Sequence, residues 1–420
     1  MTPPRVVVVT LTPRGGAGAA ARRSQLALRE AGVPARLLAR RDPPEGPDVV
    51  PLAVGQIRNS RRVPAGELPE ARWTRLLAHY PGRAPGIEMF TDPFGDVALE
   101  ALDAVREADV VHLHWVAGLA DIPSLPQALA GKRVFWTMHD MNPFTGGCHY
   151  SLGCRRFETE CGRCPLLGSD TDLDITRSFA HQKKRAYRQL DLHMVSPSRW
   201  LAEVARLSPL LSGIPVSVVP NSVPTDIFTP YPPGPVRQAL GIPQEAPLLV
   251  FGAGYDVPRK GFDHLMRALA LLPGFHPHPF HLAVFGVLPS LPLGFPAERL
   301  HNLGRIDRPE HLAAVLSAGD CFVIPSVEDN LPNVVLEALA CGLPVVGFSI
   351  GGLPDLVDHQ KTGYLAVAGD DEDLARGLAW VLGHPERQAM ATLCRFRVLK
   401  EFSPQHHAAR LLNLYGSTGR

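Results

Sequence analysis

The stretch Ile324-Pro-Ser-Val-Glu-Asp-Asn-Leu-Pro-Asn-Val-Val-Leu-Glu-Ala-Leu-Ala-Cys-Gly342 changes character twice in a short span. A buried β-type run ends at Pro325, and a polar loop carrying Glu328 and Asp329 follows. A helix is predicted to begin at Pro332–Asn333, since proline suits a helix's first positions and Asn or Asp suits the place just before it. A helix N-terminus offers backbone N–H groups and a partial positive charge, which together favour a phosphate. The spacing Asp329-x7-Glu337 puts the second acid one to two turns inside the helix. A loop acid and a helix acid flanking such a terminus can hold two hydroxyl-rich groups on either side of a diphosphate. The plainer alternative is a capping aspartate and a solvated glutamate.

Working outward, the same strand-then-helix grammar runs along most of the chain. Arg5–Thr10, Ala35–Ala39, Asp109–His114, Arg133–Met138 and His193–Ser196 read as strands in the first half, with helices at 22–31, 96–107, 178–189 and 198–207. In the second half Ser217–Val219, Pro247–Ala253, His281–Phe285, Leu300–Leu303, Asp320–Pro325 and Pro344–Phe348 read as strands, and 261–272, 309–318, 332–340 and 371–383 as helices. Apolar β-branched runs alternating with helices mean parallel βαβ units. The expected fold class is therefore α/β, with two facing Rossmann-like doubly wound domains. Their predicted bounds are 1–210 and 211–400, with a final helix over 401–420 packing back on the first domain. A chain of 420 residues agrees, since one hydrophobic core rarely serves more than ~300. The Pro-, Gly- and Arg-rich segment 42–86 carries no readable pattern.

The decisive stretch resembles retaining, nucleotide-sugar-dependent glycosyltransferases of family 4, which have the GT-B fold. Members show P-S-x-x-E-x7-E-A-x-A-x-G-x-P-V and then G-G. This chain has Pro325-Ser326, Asp329-x7-Glu337-Ala338, Ala340, Gly342, Pro344-Val345 and Gly351-Gly352. The loop Asp329-Asn-Leu-Pro-Asn333 is most similar to the exopolysaccharide (colanic-acid-type) subgroup, with aspartate where glutamate is usual. The resemblance implies a donor-binding second domain and an acceptor-binding first one. It implies that Glu337 bonds the nucleotide ribose and Asp329 the donor sugar, with Asn330, Asn333, Val334 and Val335 lining the donor at the helix start. Lys260, with Arg259, in Arg259-Lys-Gly261 would grip the diphosphate; a relative's extra arginine six residues earlier is replaced by Gly254. The turn Gly15-Gly16-Ala-Gly18 would bring backbone close to the transferred sugar, and His139 would lie beside that sugar as a further catalytic residue. No catalytic cofactor is implied. The product would be a glycan or lipid-linked acceptor carrying one more sugar, as in cell-surface polysaccharide synthesis.

Two rival readings come from the first half and from the cysteines. Gly16 to Ala21 fits G-x-G-x-x-A, and Arg40-Arg41 after the second strand could meet a 2′-phosphate, which keeps an NADP-dependent oxidoreductase open. A non-catalytic binding scaffold organised by cysteines is the other. Cys148-x5-Cys154-x6-Cys161-x2-Cys164, in an insert spanning 146–168, can supply four thiolates to a closed structural zinc site, with a reduced metal-free loop or disulfides as alternatives. His112 and His114 are expected on opposite sheet faces, as structural or cleft-lining residues, and Asp140 as an orienting partner of His139 or an acceptor contact.

Charge narrows the partners. The net formal charge is +1, from 42 Lys and Arg against 41 Asp and Glu, which gives no field for gripping a nucleic-acid backbone. The halves differ, +5 over 1–210 and −4 over 211–420. Part of the positive excess lies in His181-Gln-Lys-Lys-Arg-Ala-Tyr-Arg188, a solvated face or a surface for the membrane's inner leaflet. No apolar run approaches the ~20 residues of a spanning helix, and no export signal is evident. The expected location is cytoplasmic, with peripheral attachment to the inner membrane face.

Overall fold

The computed structural model describes residues 3–52, 63, 69–83, 88–253, 258–287 and 295–417. The chain divides into two compact units, one of residues up to Pro220 together with those from His407 onward, the other Asn221–His406. The expected boundary at 210 lies too early, for a reason visible in the first sheet.

That sheet contains β1 (Val6–Thr10), β2 (Ala35–Ala39), β3 (Val49–Val50), β5 (Val110–Leu113), β7 (Arg133–Thr137), β8 (Asp191–Ser196) and β9 (Val216–Val218); β4 (Gly95–Val97) and β6 (Gly118–Ala120) pair separately. The order is β3-β2-β1-β5-β7-β8-β9, all parallel. Val6–Val9 is fully buried, as a parallel strand covered on both faces must be. The β9 run, expected to open the second series, instead pairs with β8 through Met194↔Val216 and so belongs to the first unit. The first helix spans Gly15–Glu30, so the glycine-rich turn is already helical. The helix expected over 96–107 is broken into β4, a turn at Leu99–Ala101 and a short helix, Asp103–Glu107.

The second unit holds β10 (Leu248–Ala253), β11 (His281–Gly286), β12 (Leu300–Gly304), β13 (Cys321–Ile324), β14 (Val345–Phe348) and β15 (Gly363–Ala366), in the parallel order β12-β11-β10-β13-β14-β15. Two apolar clusters cover its faces, one around Phe322, Leu336 and Val345, the other around Phe251, Leu269 and Leu378. Edge strand β15 and the helix Arg387–Glu401 went unread: the first is a four-residue run opened by glycine, the second has only a thin buried stripe, Met390, Cys394 and Val398, in an otherwise polar and basic sequence. Among the described residues no helix is long and apolar enough to cross a membrane.

The last helix, Pro404–Ser417, places Leu411, Leu414 and Tyr415 in the core beside Val6, Val8 and Phe135. Tyr415 Oη is 2.6 Å from His112 Nδ1, and His112 Nε2 is 2.7 Å from Thr137 Oγ1. His407 bonds Ser24 Oγ at 2.8 Å and the Pro220 carbonyl at 2.7 Å. Removing one buried partner strands the other at a cost of about 1–3 kcal/mol. Tyr415→Phe is expected to lower the melting temperature of the first unit by several degrees and leave that of the second unchanged. Calorimetry on the full chain measures both, and an unshifted first transition would refute this role.

Candidate active site

In open parallel sheets, loops at the carboxyl ends of the strands build the binding site. In the second unit two such loops meet. The first leaves β10 and ends in a turn, Pro258–Lys260, ahead of the helix Phe262–Leu271; the second joins β13 to the helix Asn333–Ala340. Lys260 Nζ donates to Asp329 Oδ2 at 2.6 Å, Ser326 Oγ donates to the same oxygen at 3.3 Å, and the Asn330 amide donates to Oδ1 at 3.1 Å. Arg259 Nη1 donates to the Glu328 carbonyl at 2.8 Å and stands 3.7 Å from Asp329 Oδ2. The Val327 amide returns a bond to the Arg259 carbonyl at 2.9 Å. Burial alone would raise the Asp329 carboxyl; Lys260 and Arg259 overcome it, and the net shift is downward, so Asp329 stays ionised.

The Gly351-Gly352 pair after β14 closes the third side. The Gly352 amide donates to the Asp329 carbonyl at 3.2 Å. Gly351 sits at φ +52°, and a Cβ there would fall 1.8 Å from that same oxygen. Only glycine permits both the conformation and the approach.

The other expected donor residues fall around this centre. Glu337 is buried on the second turn of the helix Asn333–Ala340. Asn333 Oδ1 accepts from Asn221 Nδ2 at 2.9 Å, a partner not anticipated. The amide of Val335 donates to the Pro332 carbonyl, and its side chain lies in the core, so it offers the donor less than expected. Gly254 lies outside the described residues.

In the first unit Gly15 and Gly16 open the first helix, and Gly18 packs so tightly on the preceding loop that a Cβ would sit 2.1 Å from the Thr12 carbonyl oxygen. The two arginines behind the oxidoreductase alternative are committed elsewhere: Arg40 pairs with buried Asp96 at 2.5 Å and Arg41 with Glu70 at 2.5 Å. His139 follows β7, half-buried, its Nε2 2.9 Å from His114 Nδ1 with the rings stacked. His112 and His114 are not on opposite faces. Two residues apart on a strand, they share one, with ring centroids 4.7 Å apart. Asp140 does not orient His139; it bonds His149 Nδ1 at 2.7 Å and accepts from Trp115 Nε1 at 3.1 Å. His149 was missed, its only signal being its place beside Cys148.

Cys148, Cys154, Cys161 and Cys164 line one small pocket and are free thiols. Among the described residues no three His, Cys, Asp or Glu side chains are grouped to hold a metal ion. The basic helix is less open than its sequence suggests. Lys183 is buried, and Glu160 binds both His181 and Lys184, so Arg185 and Arg188 are its exposed cations.

Two doubly wound parallel sheets, with the final helix returned to the first unit and an acid–lysine–arginine cluster at the carboxyl edge of the second, define a GT-B glycosyltransferase. Residues 246–384 match the family model for glycosyl transferases group 1. D-inositol 3-phosphate glycosyltransferase of Stackebrandtia nassauensis is 34% identical over 342 residues, covering 77% of this chain and 71% of that protein. Among solved structures, sucrose-phosphate synthase from Thermosynechococcus elongatus superposes with TM-score 0.66 at 19% identity, covering 98% of both chains. Anabaena HepE in complex with UDP-glucose gives TM-score 0.62 at 16% identity, covering 99% of this chain and 100% of that one. The chain belongs to the group 1 glycosyltransferase family and is a nucleotide-sugar-dependent transferase. Its kinship is to the family at large rather than to the colanic-acid-type subgroup in particular.

The histidines make the first unit sensitive to acid. Burial, the chief cause, pushes His112 down to about 3 and His139 and His407 down to about 4. The unfolded chain takes these protons near 6.5, so between pH 6.5 and 4 it binds more protons than the folded chain. Stability is then full above pH ~6.5 and falls by up to about 1.4 kcal/mol per pH unit for each histidine as the pH drops through that window. Urea unfolding at several pH values tests this, and a first unit equally stable at pH 7 and 5 would contradict it.

Proposed function

We propose that the chain transfers a sugar, with retention at the anomeric carbon, from a nucleotide-diphosphate sugar to a glycan or lipid-linked acceptor in building a cell-surface polysaccharide. The observation that carries this reading is the contact of Lys260, Arg259 and Asp329 at the strand ends of the second sheet, with Glu337 on the helix that follows. Glu337 takes the ribose hydroxyls. Lys260, the amide of Val334 and the positive end of that helix meet the diphosphate, where negative charge develops as the glycosidic bond breaks. The acceptor oxygen bonds to the anomeric carbon while the carbon–diphosphate bond is lost, and the acceptor's proton passes to the departing diphosphate. No separate protein base is then required. His139, neutral at physiological pH, is suited to bond a sugar hydroxyl without adding charge.

Asp329 enters this scheme as the residue that holds Lys260 ready. Both its oxygens are engaged before any donor arrives, so a sugar contact requires Lys260 to turn toward the phosphates. On the first unit, Arg185 and Arg188 are the cations left to meet anionic lipid at the inner leaflet, each worth ~1 kcal/mol there.

Lys260→Ala and Glu337→Ala should each lower transfer by about 100-fold or more, the usual loss when one group that stabilises developing charge is removed. The assay is donor turnover across a panel of nucleotide sugars first ranked by thermal stabilisation. Near-normal turnover in both variants would sink the assignment.

A further inference from the structure

The insert between β7 and the helix Ile175–Tyr187 holds four of the chain's seven cysteines, and the sugar-transfer chemistry uses none of them. All four side chains wall the same pocket, with Phe90, Phe157 and Leu166. The apolar cluster supporting the insert is small, with Phe90, Cys164, Leu166, Leu167 and Phe179 as its buried members, separate from the main core of the unit. Phe157 and Cys161 tie the other side of the insert to that main core.

The backbone there is bent hard. Glu160, Cys161, Gly162 and Arg163 follow one another at φ +73°, +63°, +91° and +43°. Three of them carry side chains that disfavour this region, and the following helix holds the turn: the Gly162 amide donates to Thr176 Oγ1 at 2.9 Å and Arg177 Nη2 to the Cys161 carbonyl at 3.1 Å. The turn brings Cys161 and Cys164 to the pocket and points the Gly146 amide at Cys161 Sγ, 3.2 Å away. Such an N–H···S bond is strongest when the sulfur is anionic.

Lys183 is the independent observation. Its ammonium is 1% exposed and donates to the Asn142 carbonyl at 2.6 Å, to Asn142 Oδ1 at 3.2 Å and to the Thr145 carbonyl at 3.2 Å. All three acceptors are neutral, and among the described residues no carboxylate forms an ion pair with it. A buried cation with no carboxylate in ion-pair contact is expensive. Burial accordingly depresses it to about 8, against the opposing influence of Cys148, Cys161, Asp140 and Asp92. Negative charge gathered at Cys148 and Cys161 would offset the cost of burying the ammonium.

We propose that Cys148, Cys154, Cys161 and Cys164 take up one zinc ion as a structural tetrathiolate, with Lys183 as its buried counter-charge. The four thiols line one pocket but do not stand at ligand spacing, so a bound zinc would have to draw them together. One Zn²⁺ displaces four thiol protons, the complex carries a net charge of −2, and Lys183 offsets one of those charges. Zinc keeps its oxidation state and serves only to hold the insert beside His149 and Asp140. A disulfide pairing of the same thiols is the competing outcome.

Full-length protein purified without chelator is analysed for zinc by mass spectrometry, and thiol titration with a mercurial follows metal release with a chromophoric chelator. The expected result is one zinc per chain released as four thiols react, with Cys321, Cys341 and Cys394, buried in the second unit, reacting only on unfolding. Protein stripped of metal should regain its first-unit melting temperature when zinc alone is added. Lys183→Met keeps all four ligands, and should bind zinc at least tenfold more weakly in competition with a chelator. Sub-stoichiometric zinc with no stabilisation on adding it, or disulfides in protein isolated anaerobically, would overturn the site. Unchanged zinc affinity in Lys183→Met would overturn the counter-charge.

Discussion

A parallel sheet cannot be closed by hairpins, so every strand must be followed by a crossover that covers one face of the sheet before the next strand begins. That constraint governs both units. It explains why strands such as Val6–Thr10 and Cys321–Ile324 are apolar along their length, and why the chain alternates as it does. It also sends every strand out on the same side. The turn holding Lys260 and the loop holding Asp329 leave adjacent strands, β10 and β13, so they emerge as neighbours although far apart in sequence.

The sequence made most of this legible because buried parallel strands announce themselves by composition alone. What escaped notice was short or depended on a partner. β15 is a four-residue run, and β9 has the composition of a strand but belongs to whichever sheet offers an open edge. No local pattern says that Met194 rather than a later residue will pair with it. The candidate site was legible as a set of residue types at fixed spacings, not as a set of contacts. That Asp329 would be consumed by Lys260, Ser326 and its neighbour's amide follows from distances no spacing contains. Likewise Arg40 and Arg41 looked available for a phosphate only because Asp96 and Glu70 lie far along the chain. His112 in β5 and His114 just past its end show a different failure: their spacing was sufficient and was misread, since residues two apart along an extended strand share a face.

Aspartate at position 329 gives this chain a particular electrostatic balance. One methylene shorter than glutamate, it stays within the loop and is buried against Ser326 and Lys260. Its charge is held by cations rather than by water, which keeps it ionised in spite of burial. Lys260 and Arg259 together outweigh that one carboxylate, and in the proposed function a diphosphate would compete with Asp329 for Lys260. Specificity gains from such an exchange, because a ligand that cannot replace the carboxylate leaves the lysine where it was.

The return of the last helix to the first unit has a consequence for synthesis. A growing chain emerges from the ribosome in order, and domains generally fold as they become complete. Residues 221–406 are contiguous, so the second unit can finish folding as soon as it is out. The first unit, begun earlier, must wait with an open flank until Leu411 and Tyr415 arrive to cover Val6, Val8 and Phe135. The older half of the nascent chain is therefore the later to mature, and for that interval its exposed strands are the ones a chaperone would have to shield.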